Sequence, residues 1–390
     1  LFARVEGGVI KNLNLKDVKI KAGTASRRVG AVAGRVNAAE NTGVRGCIEN
    51  VTVSGEVGMT AGKDVKTQIA VIGGAVGYVG NAKVSNVKNQ AVVSYWSEKQ
   101  EKLQGACNRH IGGVAGFLSG GELYQCSNTG DVTVYRDYYG EFSENSPDSA
   151  WDMTGMIGQA LSGESVNLNV GGIAGYAASW ETKGRIEQCY NIGDVLAVMN
   201  NRKSLSLNIT SHSDVFTGGI AGYLYSNTGV ENCYNKGEVN GRSMSNTSLL
   251  GADAESADAL RQYLDANTVT AFENADAYAA GIAGGAGACA SGPIRYCYNT
   301  GKVSGSEGKV YGIVNGDIPI AYSRYAAAKI TKDGKETDLT GSSRPETSSG
   351  CQALEADQLA LQESYRGFDF GGEWLLIENS GMESPMLLGN

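Results

Sequence analysis

Fixed and variable positions alternate in short runs along this chain, and the runs themselves repeat. Cys189-Tyr190-Asn191-Ile192-Gly193-Asp194-Val195 returns as Cys233-Tyr234-Asn235-Lys236-Gly237-Glu238-Val239, and again as Cys297-Tyr298-Asn299-Thr300-Gly301-Lys302-Val303. An earlier copy runs from Cys126 to Val132, a decayed one begins at Cys47, and Ile10 to Val18 carries leucine where cysteine belongs. Cysteine, asparagine, glycine and valine hold at alternate positions, while the residue before valine drifts through Asp131, Asp194, Glu238 and Lys302. A period of two with one constant face marks a strand buried on one side, and no helical period fits it.

A second phrase precedes each of these: Gly171-Gly172-Ile173-Ala174-Gly175 and Gly218-Gly219-Ile220-Ala221-Gly222, with relatives at Gly30–Gly34, Gly73–Gly77, Gly112–Gly116 and Ala280–Gly284. Each repeat therefore reads as a pair of short strands with glycine-rich turns, which buries a continuous core only when stacked on its neighbours. Strands joined by turns, without long helices, predict an all-β, right-handed parallel β-helix or solenoid. Ile173, Ile220 and Ile282 are expected in one interior stack. The glycines are expected to supply φ > 0 at the corners and close approach between coils. The asparagines are expected to bond to each other and to turn backbone along the stack.

The paired phrases resemble the GLUG repeat, found in large surface proteins of Gram-positive and gut bacteria, including the streptococcal IgA-cleaving metallopeptidases. Ile or Val stands at most of the family's leucine positions. The resemblance covers most of residues 1–330, and Leu354 to Leu388 looks like the terminal segment of such proteins. It implies a secreted protein of the bacterial cell surface and a fragment of a larger one with flanking domains. It implies no reaction, because these repeats accompany peptidases without being the peptidase.

Anchor glycines at 34, 77, 116, 175, 222 and 284 are unevenly spaced, which places insertions within the 1–330 solenoid near 95–110, 134–170, 199–217 and 242–279. In the last of these, Leu260, Tyr263 and Leu264 fall at i, i+3 and i+4, predicting a short helix packed on the solenoid. Residues 331–350 are polar and read as an exposed loop. Residues 351–390 read as a C-terminal cap, with a short helix over Leu354–Gln362, a last strand over Trp374–Glu378, and Trp374 and Phe370 covering the last coil. The N-terminus shows no cap.

Composition narrows the function classes. The net charge of −8 argues against nucleic acid or anionic membrane as a partner. No apolar run is long enough to span a membrane. The 8 cysteines lie about one per repeat, without the spacing of a zinc site, so no metal and no cofactor is expected. If each repeat makes two coils, equivalent cysteines lie ~9.6 Å apart, beyond disulfide reach, and Cys126, Cys189, Cys233 and Cys297 should be reduced and buried. Cys289 and Cys297 are close enough in sequence to pair. Gly285 to Ala290 matches a loose dinucleotide pattern but has no room for the helix that pattern needs. His110 and His212, the two histidines, read as surface or loop residues, and no catalytic residue is assigned.

Candidate binding residues are the aromatics in or beside the insertions: Tyr95, Trp96, Tyr135, Tyr138, Tyr139, Trp151 with Asp152, and Trp180. Exposed rings take sugars or protein side chains, and insertions leaving equivalent corners would gather them into one patch. The reading is a monomeric, non-catalytic adhesion module for a host or microbial glycan or surface protein. Two alternatives stand beside it. One is a polysaccharide-degrading β-helix enzyme using carboxylates such as Asp137, Glu141, Glu144, Asp148 and Asp152. The other is a passive stalk.

Overall fold

The computed structural model describes residues 1–23, 27–61, 64–65, 69–97, 101–103, 108–139, 167–201, 214–244, 257–266, 276–287, 289–305, 309–332, 335–344 and 350–388. Among these, 34 strands form one sheet wound into successive parallel coils. A central coil runs through five strands: Asn108–Gly112, Ala115–Ser119, Glu122–Tyr124, Ser127–Asn128 and Val132–Tyr139. The first pairs in parallel with Ile69–Gly73 before it and Leu168–Gly171 after it. The second lies between Val76–Gly80 and the start of Ala174–Glu187. The fifth lies between Val92–Ser97 and Val195–Asn201.

Both sequence phrases thus belong to one coil, so each repeat is a single turn of the solenoid and not two. The interior follows the constant positions. Ile173, Ile220 and Ile282 are fully buried and linked through their backbones, Ile173 N–H to Ile220 O at 2.9 Å and Ile220 N–H to Ile282 O at 3.0 Å. The asparagines form a buried ladder in which each Nδ2 donates to the Oδ1 of the next. Asn89 donates to Asn128 at 2.7 Å, Asn128 to Asn191 at 2.8 Å, Asn191 to Asn235 at 2.8 Å and Asn235 to Asn299 at 2.7 Å. Each also donates to a carbonyl two residues on, as Asn191 does to Gly193 at 2.7 Å. Buried amides are tolerable because this arrangement pairs them.

Cys126, Cys189, Cys233 and Cys297 are free and buried. The spacing behind the sequence expectation is corrected: they sit on adjacent coils, with Cys126 N–H donating to Cys189 Sγ and Cys189 N–H to Cys233 Sγ, both at 3.4 Å. Burial holds the thiols of Cys126, Cys189 and Cys233 well above the usual range, so they stay protonated and act as small apolar groups. Cys289 is exposed and also free.

The glycine expectation is corrected in part. Left-handed backbone at the corner after the third strand falls on Asn50, Asn86, Gln125, Gln188, Asn232 and Tyr296, with φ between 49° and 54°. The phrase glycines are needed instead for close approach. A Cβ on Gly116 would sit 2.6 Å from the backbone nitrogen of Ile72, and one on Gly172 would collide with the carbonyl of Gly219 and the side chain of Asn191.

The predicted helix forms at Ala257–Ala266 and packs on the outer face of the fifth strands, where Leu260 is buried with Tyr135, Leu196, Val198 and Met244. Arg261 pairs with Asp194 at 3.1 Å. The 331–350 stretch is not a plain loop. Lys329–Lys332 and Lys335–Asp338 form an antiparallel hairpin, and Thr340–Ser342 joins the solenoid sheet beside Val310–Gly316.

The C-terminal segment differs most. Cys351–Leu354 is the last strand on the solenoid, pairing with Ser323–Ala326. Residues 356–360 form turns in place of the expected helix, and the helical element is a 3-10 turn at Gln362–Tyr365. Trp374–Leu375 pairs antiparallel with Met386–Leu387. This tail does not sit on the open end. It runs back along the flank, where Trp374 Nε1 donates to Asn232 Oδ1 at 3.1 Å and Gln188 Nε2 donates to Glu373, coils away from Leu354.

Candidate functional site, an aromatic groove

The residue after the glycine phrase is aromatic on four consecutive coils: Tyr78, Phe117, Tyr176 and Tyr223. Parallel, in-register stacking brings equivalent residues together at the coil spacing of ~4.8 Å. Their rings stack into one ladder, with centroids 5.3, 5.0 and 5.7 Å apart and planes 16°, 27° and 8° from parallel. All four are half-buried.

The first strand of the coil supplies a second wall. Its outward positions in register are Arg28, Val71, His110, Asn169, Phe216 and Tyr278. His110 lies 4.8 Å from the Tyr176 ring and 5.4 Å from Phe117, while Phe216 lies 4.7 Å from Tyr223 and 5.3 Å from Tyr278. Outward side chains from two strands meet only across a re-entrant corner, so the corner is a groove running along the solenoid. The missing Cβ atoms of Gly116 and Gly175 let the two strands close to this angle.

The groove floor is polar. Asn169 Nδ2 lies 3.0 Å from His110 Nδ1, and Asn169 Oδ1 is buried with no partner among the described residues. Burial and the charge of Arg109 push His110 down to about 3, so it is neutral at pH 7 and accepts at Nδ1. His110 is 4% exposed, which corrects its reading as a surface or loop residue.

One end of the groove is basic. The guanidinium groups of Arg28 and Arg35 lie 5.1 and 5.2 Å from the centre of the Tyr78 ring. Arg4 is the in-register neighbour of Arg35 on the first coil and pairs with Glu6 and Glu40. Residues 1–90 hold 13 Lys and Arg against 6 Asp and Glu, while residues 91–390 hold 20 against 35. The whole-chain charge conceals this reversal. At the other end Asp276 pairs with Lys309 and accepts from Tyr278 Oη at 2.7 Å.

Two of the residues singled out from sequence lie away from the surface. Tyr95 and Tyr135 are fully buried, Tyr95 inside the solenoid accepting from Arg109 Nε at 2.9 Å and Tyr135 beneath the helix. Both are therefore corrected to core positions. Trp96 is half-buried against the same cluster, 6.0 Å from Tyr135. Tyr138 and Tyr139 end the strand Val132–Tyr139, and Trp180 lies within Ala174–Glu187. Trp151, Asp152 and His212 lie outside the described residues, as do Glu141, Glu144 and Asp148; Asp137 is buried. Among the described residues no group of three or more His, Cys, Asp or Glu is arranged to hold a metal, and no helix is long and apolar enough to cross a membrane. The ladder residues were marked in the sequence by one signal, an aromatic at the same offset from four of the six glycine phrases.

No curated protein and no solved structure matches the chain. Residues 108–133, which hold His110, Phe117, Cys126 and Asn128, match the family model described as the GLUG motif. The flanking coils repeat that phrase in register with it, and together with the match this supports a GLUG-repeat protein.

Proposed function

We propose that this protein is a non-catalytic binding module of a bacterial cell-surface protein, and that the aromatic groove is its recognition surface. The observation that carries the reading is the ladder Tyr78–Phe117–Tyr176–Tyr223, partly exposed on each of four coils. An extended apolar surface of this kind marks a binding site more often than a bare structural face. The ladder runs across four coils, which suits a polymer lying along the solenoid. A location outside the cell is supported by the likeness of the repeats to those of secreted surface proteins.

A glycan array probed with wild type and Tyr176→Ser tests this. Wild type is expected to retain a set of polymeric glycans, and Tyr176→Ser to lose at least about fivefold in affinity while keeping its β-sheet spectrum, a loss of about 1 kcal/mol. A folded Tyr176→Ser that binds like wild type would remove the groove from the function. Binding of nothing by wild type would favour a stalk.

A further inference from the structure

Resting on that reading, we infer that the ligand is a linear anionic glycan, one bearing carboxylate or sulfate groups, with an acid group held by Arg28 and Arg35 at the basic end of the groove. The first argument is charge. Among the described residues neither Arg28 nor Arg35 forms an ion pair, and the buried Nε of Arg35 has no hydrogen-bond partner. Both guanidinium groups nevertheless converge on one ring, with Arg27 nearby, while the neighbouring Arg4 is paired with Glu6 and Glu40. Cations brought together without a counter-charge repel one another, and a planar carboxylate or a sulfate relieves that by accepting from both.

The second argument separates a glycan from a peptide. An extended peptide is usually captured by free backbone groups at a sheet edge. Apart from Arg28–Val29, which pairs with Ile69–Gly73 alone, the groove walls are interior strands whose backbones are already paired to the coils on either side. Recognition is left to side chains. The ladder rings are stacked face to face, so they offer edges and the phenol hydroxyls of Tyr78, Tyr176 and Tyr223, not open faces. These three hydroxyls stand one or two coil spacings of ~4.8 Å apart, with Phe117 between Tyr78 and Tyr176, and they line up along the direction a chain of sugar residues would take. The polarity of the groove, arginines at one end and Asp276 at the other, sets the direction of the chain.

The test uses the whole protein and three probes: a galacturonate hexamer, a sulfated disaccharide-repeat hexamer, and a neutral β-1,4-glucose hexamer, each titrated by calorimetry. Arg28→Gln/Arg35→Gln changes two side chains outside the core and is checked by its melting curve. At least one acidic hexamer is expected to bind wild type at least about tenfold tighter than the neutral one, and to lose that advantage in the double variant and between about 50 and 500 mM salt. Which acidic hexamer binds distinguishes carboxylate from sulfate. If all three hexamers bind wild type and the double variant alike, while Tyr176→Ser weakens them, the anion inference is wrong and the groove reading stands. If Tyr176→Ser has no effect on any of them, the groove reading itself falls. Binding of a short acidic peptide or of duplex DNA as tightly as the acidic hexamer would reduce the site to an unselective polyanion surface and overturn the glycan assignment.

Discussion

Tyr190, Tyr234 and Tyr298 stack as Tyr78, Phe117, Tyr176 and Tyr223 do, on successive coils and nearly parallel, with centroids 4.9 and 5.1 Å apart. The surroundings of the two ladders differ. The first is roofed by the chain's own tail. Trp374, fully buried, lies 6.1 Å from Tyr234 and 5.7 Å from Tyr298, and Tyr365 and Phe368 complete a cluster separate from the solenoid core. The second is half-exposed. A ladder of rings on a solenoid flank is therefore a surface that other groups dock against, and among the described residues the tail covers one of the two and not the other. The tail also shows what such a surface accepts: aromatic rings set at an angle, and polar groups aligned with the stack.

The largest expected effect lies at the roof. Trp374→Ala removes the side chain that touches two rings of the ladder and bonds Asn232. Loss of a buried tryptophan costs about 3–5 kcal/mol. The tail should become sensitive to protease while the coils keep their spectrum. Tyr176→Ser, in the open ladder, gives up two half-exposed stacking contacts worth about 0.5–1.5 kcal/mol each. If the two variants prove equally destabilised, the open ladder is structural and the contrast collapses.

Acid should move the two sides in opposite directions. His110, in the floor of the open groove, is held neutral, with its pKa near 3 against 6.5 when unfolded. The unfolded chain therefore takes up a proton below pH 6.5 that the fold refuses, and stability falls as pH drops from 6.5 towards 3. Between pH 7 and 5 the loss is about 2 kcal/mol. On the covered side, burial raises the Glu187 carboxyl, Arg185 opposes this, and Glu231 and the tail's Glu373 add to it. A carboxyl with a raised pKa binds its proton more readily in the fold, so this side gains stability as pH falls through that raised value. Amide exchange followed from pH 7 to 5 should show the first strands near His110 loosening. His110→Gln should abolish that slope, and a slope that survives the substitution would assign it to other groups.

The solenoid was legible because its physics is local. One coil needs inward positions at a period of two, and Ile173, Cys189, Asn191 and Val195 occupy them in copy after copy. The same parity identifies Tyr95 as interior, since it lies two residues after the inward Val93, both fully buried. Its placement among binding residues rested on its nearness to an insertion, a weaker signal. What was not legible depends on contacts between distant residues. Whether Trp374 covers the end or the flank is decided by Asn232 and Tyr234, more than a hundred residues earlier, and no pattern within 351–390 encodes that choice. The aromatic groove fell between: its ladder residues stand one residue beyond four of the six glycine phrases, but their convergence with His110 and Phe216 needs the corner angle.

The finest distinction concerns single hydroxyl groups. Tyr298 Oη donates to the Pro385 carbonyl within the roofed cluster, and Tyr298 is 1% exposed. Tyr298→Phe keeps the ring and its stacking but leaves that carbonyl without its donor. A neutral hydrogen bond of this kind contributes about 1 kcal/mol, and the orphaned acceptor sets the upper part of the range. The effect should be confined to the tail, and read best as faster amide exchange at Leu388, whose N–H bonds Glu373 O at 2.9 Å. Tyr223→Phe makes the same chemical change in the open ladder, where the ring is half-exposed and water replaces any partner the hydroxyl loses. Its stability should stay within about 0.5 kcal/mol of wild type. Its cost should appear instead in binding, where a hydroxyl facing the ligand is gone. Equal stability losses in the two phenylalanine variants would mean that the open ladder is as closed in solution as the covered one.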